Sequence, residues 1–270
     1  MHKKPPLQGR FFVFIPNRSG RSDLPEQVYW YVCSMRVEPF SVGSVVHVTK
    51  RGARGTDIVR DLEDRNRFVR SLFLLNDTHT DSYWHQETAD LTLFDRPEHW
   101  PDREPLVRIL AWTLLSNHFH LLIQEIREGG TAKFMQRFGG SLSMCFNLKY
   151  KEKGSLFQSA YHARAVSEVS HLDYLVFYIL VKNVLEMYPG GLVAAYDNFD
   201  HAWEWASQYQ FSSFKDHISG TFSPLIDDPD GLLTDLLGEG DLSKQEMKEV
   251  LSMHMSLCGE EFKEISLEPW

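Results

Sequence analysis

Ser116-Asn117-His118-Phe119-His120-Leu121-Leu122-Ile123 places two histidines either side of one large apolar residue, with an apolar run behind them. Successive side chains of a β-strand alternate faces. His118 and His120 therefore point one way, and Phe119 and Leu121 the other. One face of this strand is polar and carries two imidazoles; the other is core. Neutral imidazole nitrogens at this spacing suit one divalent cation. The plainer alternative is a pair of histidines decorating a strand edge.

Working outward, Val107 to Leu115 is a second apolar strand, and Ser116-Asn117 supplies turn residues. The two strands read as a hairpin with the histidines at its start; one continuous strand is the alternative. Upstream, Val45-Val46-His47-Val48-Thr49 is β-branched and reads as a strand, followed by a basic, glycine-containing turn over Lys50 to Gly55. Leu62, Phe68, Val69, Leu72 and Phe73 recur at helical spacing, which predicts an amphipathic helix over 61–73. Residues 76–106 read as an insertion or long connection.

Downstream, Gly129-Gly130 breaks the chain, and Thr131 is the expected N-cap of a helix carrying Phe134, Phe138, Leu142, Cys145 and Phe146 on one face. Lys149 to Gly154 gives that helix a cationic last turn and a glycine stop. Residues 155–164 read as irregular, with aromatic and cationic residues interleaved. A further helix runs from Ser167 or Ser170 to about Leu185, in which Tyr174, Tyr178 and Lys182 share a face at i, i+4 and i+8. Trp203, Trp205, Tyr209, Phe211 and Phe214 form a late aromatic cluster, expected as core or lid. A last amphipathic helix is expected over 243–257.

The 270 residues are 43% hydrophobic and 13% aromatic, enough for a substantial core and against disorder as the overall state. Cys33, Cys145 and Cys258 are odd in number and far apart, with no CxxC, which suits reduced thiols in a cytoplasm. No apolar run approaches the ~18 residues of a membrane span. From Ile226 onward there are twelve acidic and three basic residues, which equals the whole net charge of −9. Residues 1–225 are thus neutral, and a neutral body can still carry a basic face. Three regions follow. Residues 1–34 are an N-terminal extension, either a mis-called start ahead of Met35 or an ordinary flexible arm. Residues 35–225 are the main domain, and 226–270 an acidic tail with a short helix that is either solubilising or a mimic of DNA charge.

Five stretches occur in a telling order: Val45-Val46-His47-Val48-Thr49-Lys50-Arg51-Gly52, the histidine pair, Gly154-Ser155-Leu156-Phe157-Gln158, Tyr178-Ile179 with Asn183, and Gln210-Phe211-Ser212-Ser213-Phe214. Over about residues 40–220 the chain resembles the HUH-type single-tyrosine transposases, in particular the REP-associated tyrosine transposase branch. The resemblance implies an α+β fold, a ferredoxin-like antiparallel sheet with helices packed on it. It also implies a histidine pair holding Mg²⁺ or Mn²⁺, a tyrosine nucleophile, and single-stranded hairpin DNA as substrate, handled by a monomer or homodimer. On these residues Tyr178 is the expected nucleophile, with Tyr174 the alternative. His118 and His120 are the expected ligands. The family places a polar ligand four positions after the tyrosine, often asparagine before proline. Here Lys182 occupies that position and Asn183 follows, then Val184, so Asn183 is the candidate third ligand and Glu186 the reserve. His47 reads as structural, and His162 and His171 as surface residues.

The chemistry is coherent from the residues themselves. A cation on His118 and His120 polarises a phosphate. A tyrosine, with a reference pKa of ~10, conserves the ester bond for rejoining once activated. Lys50, Arg51, Arg54, Lys151, Lys153 and Arg164 are candidate phosphate contacts, and Phe157 or Tyr161 a candidate stacking surface for an unpaired base. A catalytically silent nucleic-acid-binding module on the same fold, and a phosphodiesterase using water, are the rival readings.

Overall fold

The computed structural model describes residues 40–166, 169–229, 231–233 and 244–257. The expected N-terminal extension, Cys33 and Cys258 lie outside the described residues. Strand β1 (Val45–Arg51) leads through a 3₁₀ turn into helix α1 (Leu62–Leu74). A long connection holding only the short α2 (Trp84–Glu87) reaches β2 (Val107–Leu114), which turns into β3 (His118–Glu125). Helix α3 (Gly130–Tyr150) and strand β4 (His162–Ala165) complete a β-α-β-β-α-β order. The sheet runs β2-β3-β1-β4 with every neighbouring pair antiparallel. This is the ferredoxin-like split β-α-β arrangement, as the sequence led one to expect.

The hairpin reading, not the continuous strand, is the one observed. Leu115 donates its amide to the His118 carbonyl at 2.9 Å, and Ser116-Asn117 make the turn. The turn is docked: its carbonyls accept from Ile58 (2.8 Å) and Gly52 (2.7 Å). Gly52 is required there, because a Cβ would sit 2.0 Å from the Thr56 carbonyl oxygen.

Alternation sorts the sheet into two cores. Val46, Val48, Phe119, Leu121 and Ile123 face α1 and α3, where Phe68, Phe119 and Phe138 meet edge-on at centroid separations of 5.1 to 5.3 Å. Such pairs add about 0.5–1.5 kcal/mol each beyond burial. On the other face lie Leu122, Ala111 and Leu110. A bulge between Ile109 and Ala111 puts an extra residue, Leu110, into β2. Its carbonyl accepts from His217 Nε2 at 3.0 Å. Over this second face run α4 (Val169–Phe177), a π-helical turn (Tyr178–Lys182) and α5 (Asn183–Glu186) as one continuous helix. Then come α6 (Gly191–Asp197), α7 (Phe199–Gln208), α8 (Phe214–Ser219) and α9 (Lys244–Leu257).

Four local expectations need correction. Thr131 is not an N-cap: α3 starts one residue earlier after Gly129 (φ 69°), and the Thr131 amide donates to Glu125 Oε2 at 3.0 Å. A carboxylate at the first turn suits the helix dipole. Helix α3 ends at Lys151 in the left-handed region (φ 55°), three residues before Gly154. Residues 162–164, within the stretch read as irregular, join Ala165 in a short edge strand paired with β1. The π turn was not legible at all. The late aromatic cluster is core as expected: Phe214 is buried, and Trp203, Trp205 and Tyr209 pack on the same core. The Phe211-to-Ser213 stretch closes the free edge of β2, where Leu114 donates to the Phe211 carbonyl and Ser213 to that of Trp112, both at 2.9 Å. The last helix is anchored through Met247 and Leu251 in the second core and a Lys244–Asp200 ion pair at 2.6 Å.

Candidate active site

Cross-strand register fixes which side chains share the histidine face. Thr49 and Thr113 are both opposite His120, and Arg51 is opposite His118; on β4, His162 lies opposite Thr49 and Arg164 opposite His47. The His118 and His120 rings meet edge-on, 5.0 Å apart. His118 Nδ1 lies 2.6 Å from Asn117 Oδ1, and His120 Nδ1 lies 3.0 Å from His47 Nε2. His120 is fully buried.

The π turn brings the helix to this face. Its widened hydrogen bond runs from the Asn183 amide to the Tyr178 carbonyl, five residues back. In an α-helix a residue five positions on would sit about 140° around the axis. With roughly 4.4 residues in the wider turn, the fifth residue returns over the first. The extra residue between Tyr178 and Asn183 is thereby absorbed, and Asn183 stands one turn beyond Tyr178. Thr113 Oγ1 donates to the Ile179 carbonyl inside the turn, tying β2 to it.

Tyr178 lies against the histidine layer, with its ring edge-on to His120 at 5.5 Å. It is only 4% exposed. Lys182 Nζ sits over the same ring, 4.8 Å from its centroid, and is paired with Glu186 at 2.6 Å. That pairing, with Glu186 exposed, leaves the reserve ligand engaged elsewhere. Asn183 is fully buried, and neither its Oδ1 nor its Nδ2 has a hydrogen-bond partner. A buried amide left so costs about 1–3 kcal/mol per group, a cost that a bound water or ion would relieve. An amide oxygen together with two imidazoles is a donor set that fits a divalent cation. Among the described residues no group of three His, Cys, Asp or Glu side chains is arranged as a metal site.

Tyr174 stacks at a tilt on Tyr178, 5.9 Å away, one turn further from Asn183. His254 of α9 was not anticipated: it lies edge-on to Phe177 (6.1 Å) and to Tyr178 (6.3 Å). Burial, then the nearby Lys182 charge, lowers the His254 pKa to about 4.

A small cleft open to solvent reaches His118 between Thr49, Arg51, Gln158, Ser159 and His162. Of the expected nucleic-acid contacts, Arg51 lines it and Arg164 stands on the same sheet face. Lys50 borders the cleft but pairs with Phe119, so its ammonium lies on the opposite face, 4.7 Å over the Phe157 ring. Burial lowers its pKa. Phe157 is itself core, edge-on to Phe119, so its ring is not available to a base. Tyr161 is half-buried against the same core and keeps some surface. Arg54 is exposed on the 3₁₀ turn with φ 57°, and Lys151 and Lys153 are exposed on the loop after α3. Strand alternation thus separates Lys50 from Arg51 and Arg164.

Residues 103–181 match the family model described as Transposase IS200 like. No curated protein matches the chain. Among solved structures, one described as the structure of the REP associates tyrosine transposase bound to a REP hairpin is 15% identical. It aligns with a TM-score of 0.37 over 73% of this chain and 92% of that one. No helix among the described residues is long and apolar enough to cross a membrane.

Proposed function

Because this chain carries an IS200-like transposase segment over residues 103–181, we propose that it cuts and rejoins single-stranded hairpin DNA with Tyr178 as nucleophile. The observation that carries this reading is the edge-on contact of Tyr178 with His120, with the unpartnered amide of Asn183 one π turn further on. His118, His120 and Asn183 would hold a Mg²⁺ or Mn²⁺ ion. Such an ion, when bound, supplies Lewis-acid polarisation of the scissile phosphate.

The residues of the chain do the rest. Arg51 and Arg164 neutralise backbone phosphates beside the cleft, and Arg54, Lys151 and Lys153 extend the cationic path. The Lys182 ammonium sits over the Tyr178 ring as a cation–π contact. Tyr178 Oη attacks phosphorus; one P–O bond of the strand breaks as the Tyr–O–P bond forms. The phenolic proton is lost and the departing oxygen leaves as a hydroxyl. The reverse step, with a hydroxyl from another strand end, rejoins the DNA without outside energy. Tyr178 is buried beneath His254, so attack requires α9 to yield at that point. The spread of cysteines fits a cytoplasmic protein, monomeric or homodimeric.

The burial of Tyr178 also favours a second reading, a silent hairpin-binding module. A denaturing gel with labelled hairpin DNA from the flanks of the gene, with Mg²⁺ or Mn²⁺, separates the two. A covalent band lost in Tyr178→Phe and His118→Ala supports the transposase. Cleavage without that band points to water as nucleophile. Binding without cleavage in either metal leaves the silent module.

A further inference from the structure

His47 has the composition of a core residue and the position of a functional one. It is 2% exposed, on β1, two residue pairs along from Thr49 and His120 and on the same sheet face. Its ring stacks on His120 at 5.2 Å with planes 11° apart, and its Nε2 meets His120 Nδ1 at 3.0 Å. One proton lies between those two nitrogens, and the choice of owner is consequential. A neutral imidazole carries a single N–H. If His47 Nε2 owns the proton, His120 must carry its own on Nε2, where it has no lone pair to give a cation. If His120 Nδ1 owns it, Nε2 presents a lone pair.

The neighbouring imidazole shows which arrangement the site uses. His118 Nδ1 lies 2.6 Å from Asn117 Oδ1, and the other end of that amide, Nδ2, donates to the Gly55 carbonyl at 3.3 Å. That second bond fixes which end of Asn117 faces the ring. An amide oxygen only accepts, so His118 carries its proton on Nδ1 and a lone pair on Nε2. We propose that His47 is a positioning residue that does for His120 what Asn117 does for His118. It accepts the Nδ1–H of His120 and so holds that imidazole, like His118, as the tautomer with an Nε2 lone pair. Partners of this kind orient ligands and raise their basicity. The consequence for a cation rests on the reading of His118 and His120 as ligands; the direction of the hydrogen bond does not.

The test uses the full chain labelled with ¹⁵N-histidine. Two-bond ¹H–¹⁵N correlations at neutral pH are expected to show His120 protonated at Nδ1 and bare at Nε2, without metal. Mn²⁺ binding by calorimetry is expected to weaken about 10–100-fold in His47→Phe, and largely to recover in His47→Gln, whose side-chain oxygen can accept in place of Nε2. Circular dichroism and melting of each variant report whether the fold survives. His120 protonated at Nε2 in the wild type overturns the proposal, whatever the variants do. So does equal Mn²⁺ affinity in the wild type and folded His47→Phe. A wild type with the expected tautomer that binds no Mn²⁺ refutes the cation reading instead and leaves the hydrogen-bond direction standing.

Discussion

Replacing Asn183 by leucine exchanges a buried amide for an apolar side chain with the same branching and number of heavy atoms, and it should make the metal-free protein more stable. Asn183 is fully buried and both of its polar atoms lack partners. Each such group costs about 1–3 kcal/mol in the fold, so removing both returns roughly 2–6 kcal/mol. The leucine methyls are bulkier than the amide atoms, and overpacking takes back about 1–3 kcal/mol, which leaves about 2 kcal/mol between the midpoints. For a domain of this size 1 kcal/mol moves Tm by about 2–4 °C, so Asn183→Leu is expected to melt roughly 4–8 °C higher in the presence of EDTA. With Mn²⁺ the order reverses in function: the variant should lose the cation-dependent rise in Tm and the covalent DNA adduct. Asn183→Asp keeps an oxygen donor but buries a charge, so it should melt below the wild type in EDTA and regain stability with Mn²⁺. Scanning calorimetry in both conditions reads all three proteins. A fall in the metal-free Tm of Asn183→Leu would refute the idea that this amide is held at a cost. An unchanged Mn²⁺ response would refute its place as a ligand.

Three further outcomes follow from the structure. Burial lowers the His217 pKa to about 4 despite its bond to the Leu110 carbonyl. Its folded value thus lies below the unfolded ~6.5, so the unfolded chain takes up the proton first. Stability should be intact above pH 6.5 and decline toward pH 4, by roughly 3 kcal/mol from this residue; His217→Gln, which keeps a donor, should flatten that decline in a melting series. Arg51→Ala, at the cleft, should weaken hairpin binding and lower the slope of log K against log salt by about 1, whereas Lys50→Met should leave that slope unchanged. Asp61 caps α1 by accepting from the Asp64 amide at 2.9 Å and pairs with Lys149 at 2.7 Å. Asp61→Ala should therefore lower Tm more than Asp61→Asn, which keeps the cap and loses only the charge; equal melting of the two would show that the cap contributes nothing.

The sheet was legible because alternation is local. Val46 and Val48 against His47 and Thr49, and Phe119 and Leu121 against His118 and His120, state which face is core without reference to anything distant. The same rule held a warning about Lys50, since a residue between Thr49 and Arg51 must turn to the other face. Helix α1 and the hairpin turn were equally readable, from helical spacing and from Ser116-Asn117. The four-residue β4 was hidden because an edge strand of that length has too few alternations to stand out from a loop.

The proposed nucleophile and the proposed third ligand divide differently. Sequence alone determined that Tyr178 and Asn183 are five apart and that a regular helix would point them in different directions. Only the tertiary structure decided that they stand one turn apart. Packing on the histidine face and the bond from Thr113 sustain a π turn that no propensity announces. His47 shows the same boundary: its face was readable from β1, but its partner depended on how β1 registers with β3, a pairing set by long-range contact and the hairpin's docking. His254, far along the chain, reaches Tyr178 only because Met247 and Leu251 anchor α9 in the second core. Local periodicity thus fixes what each element can offer, and non-local packing fixes which offers meet.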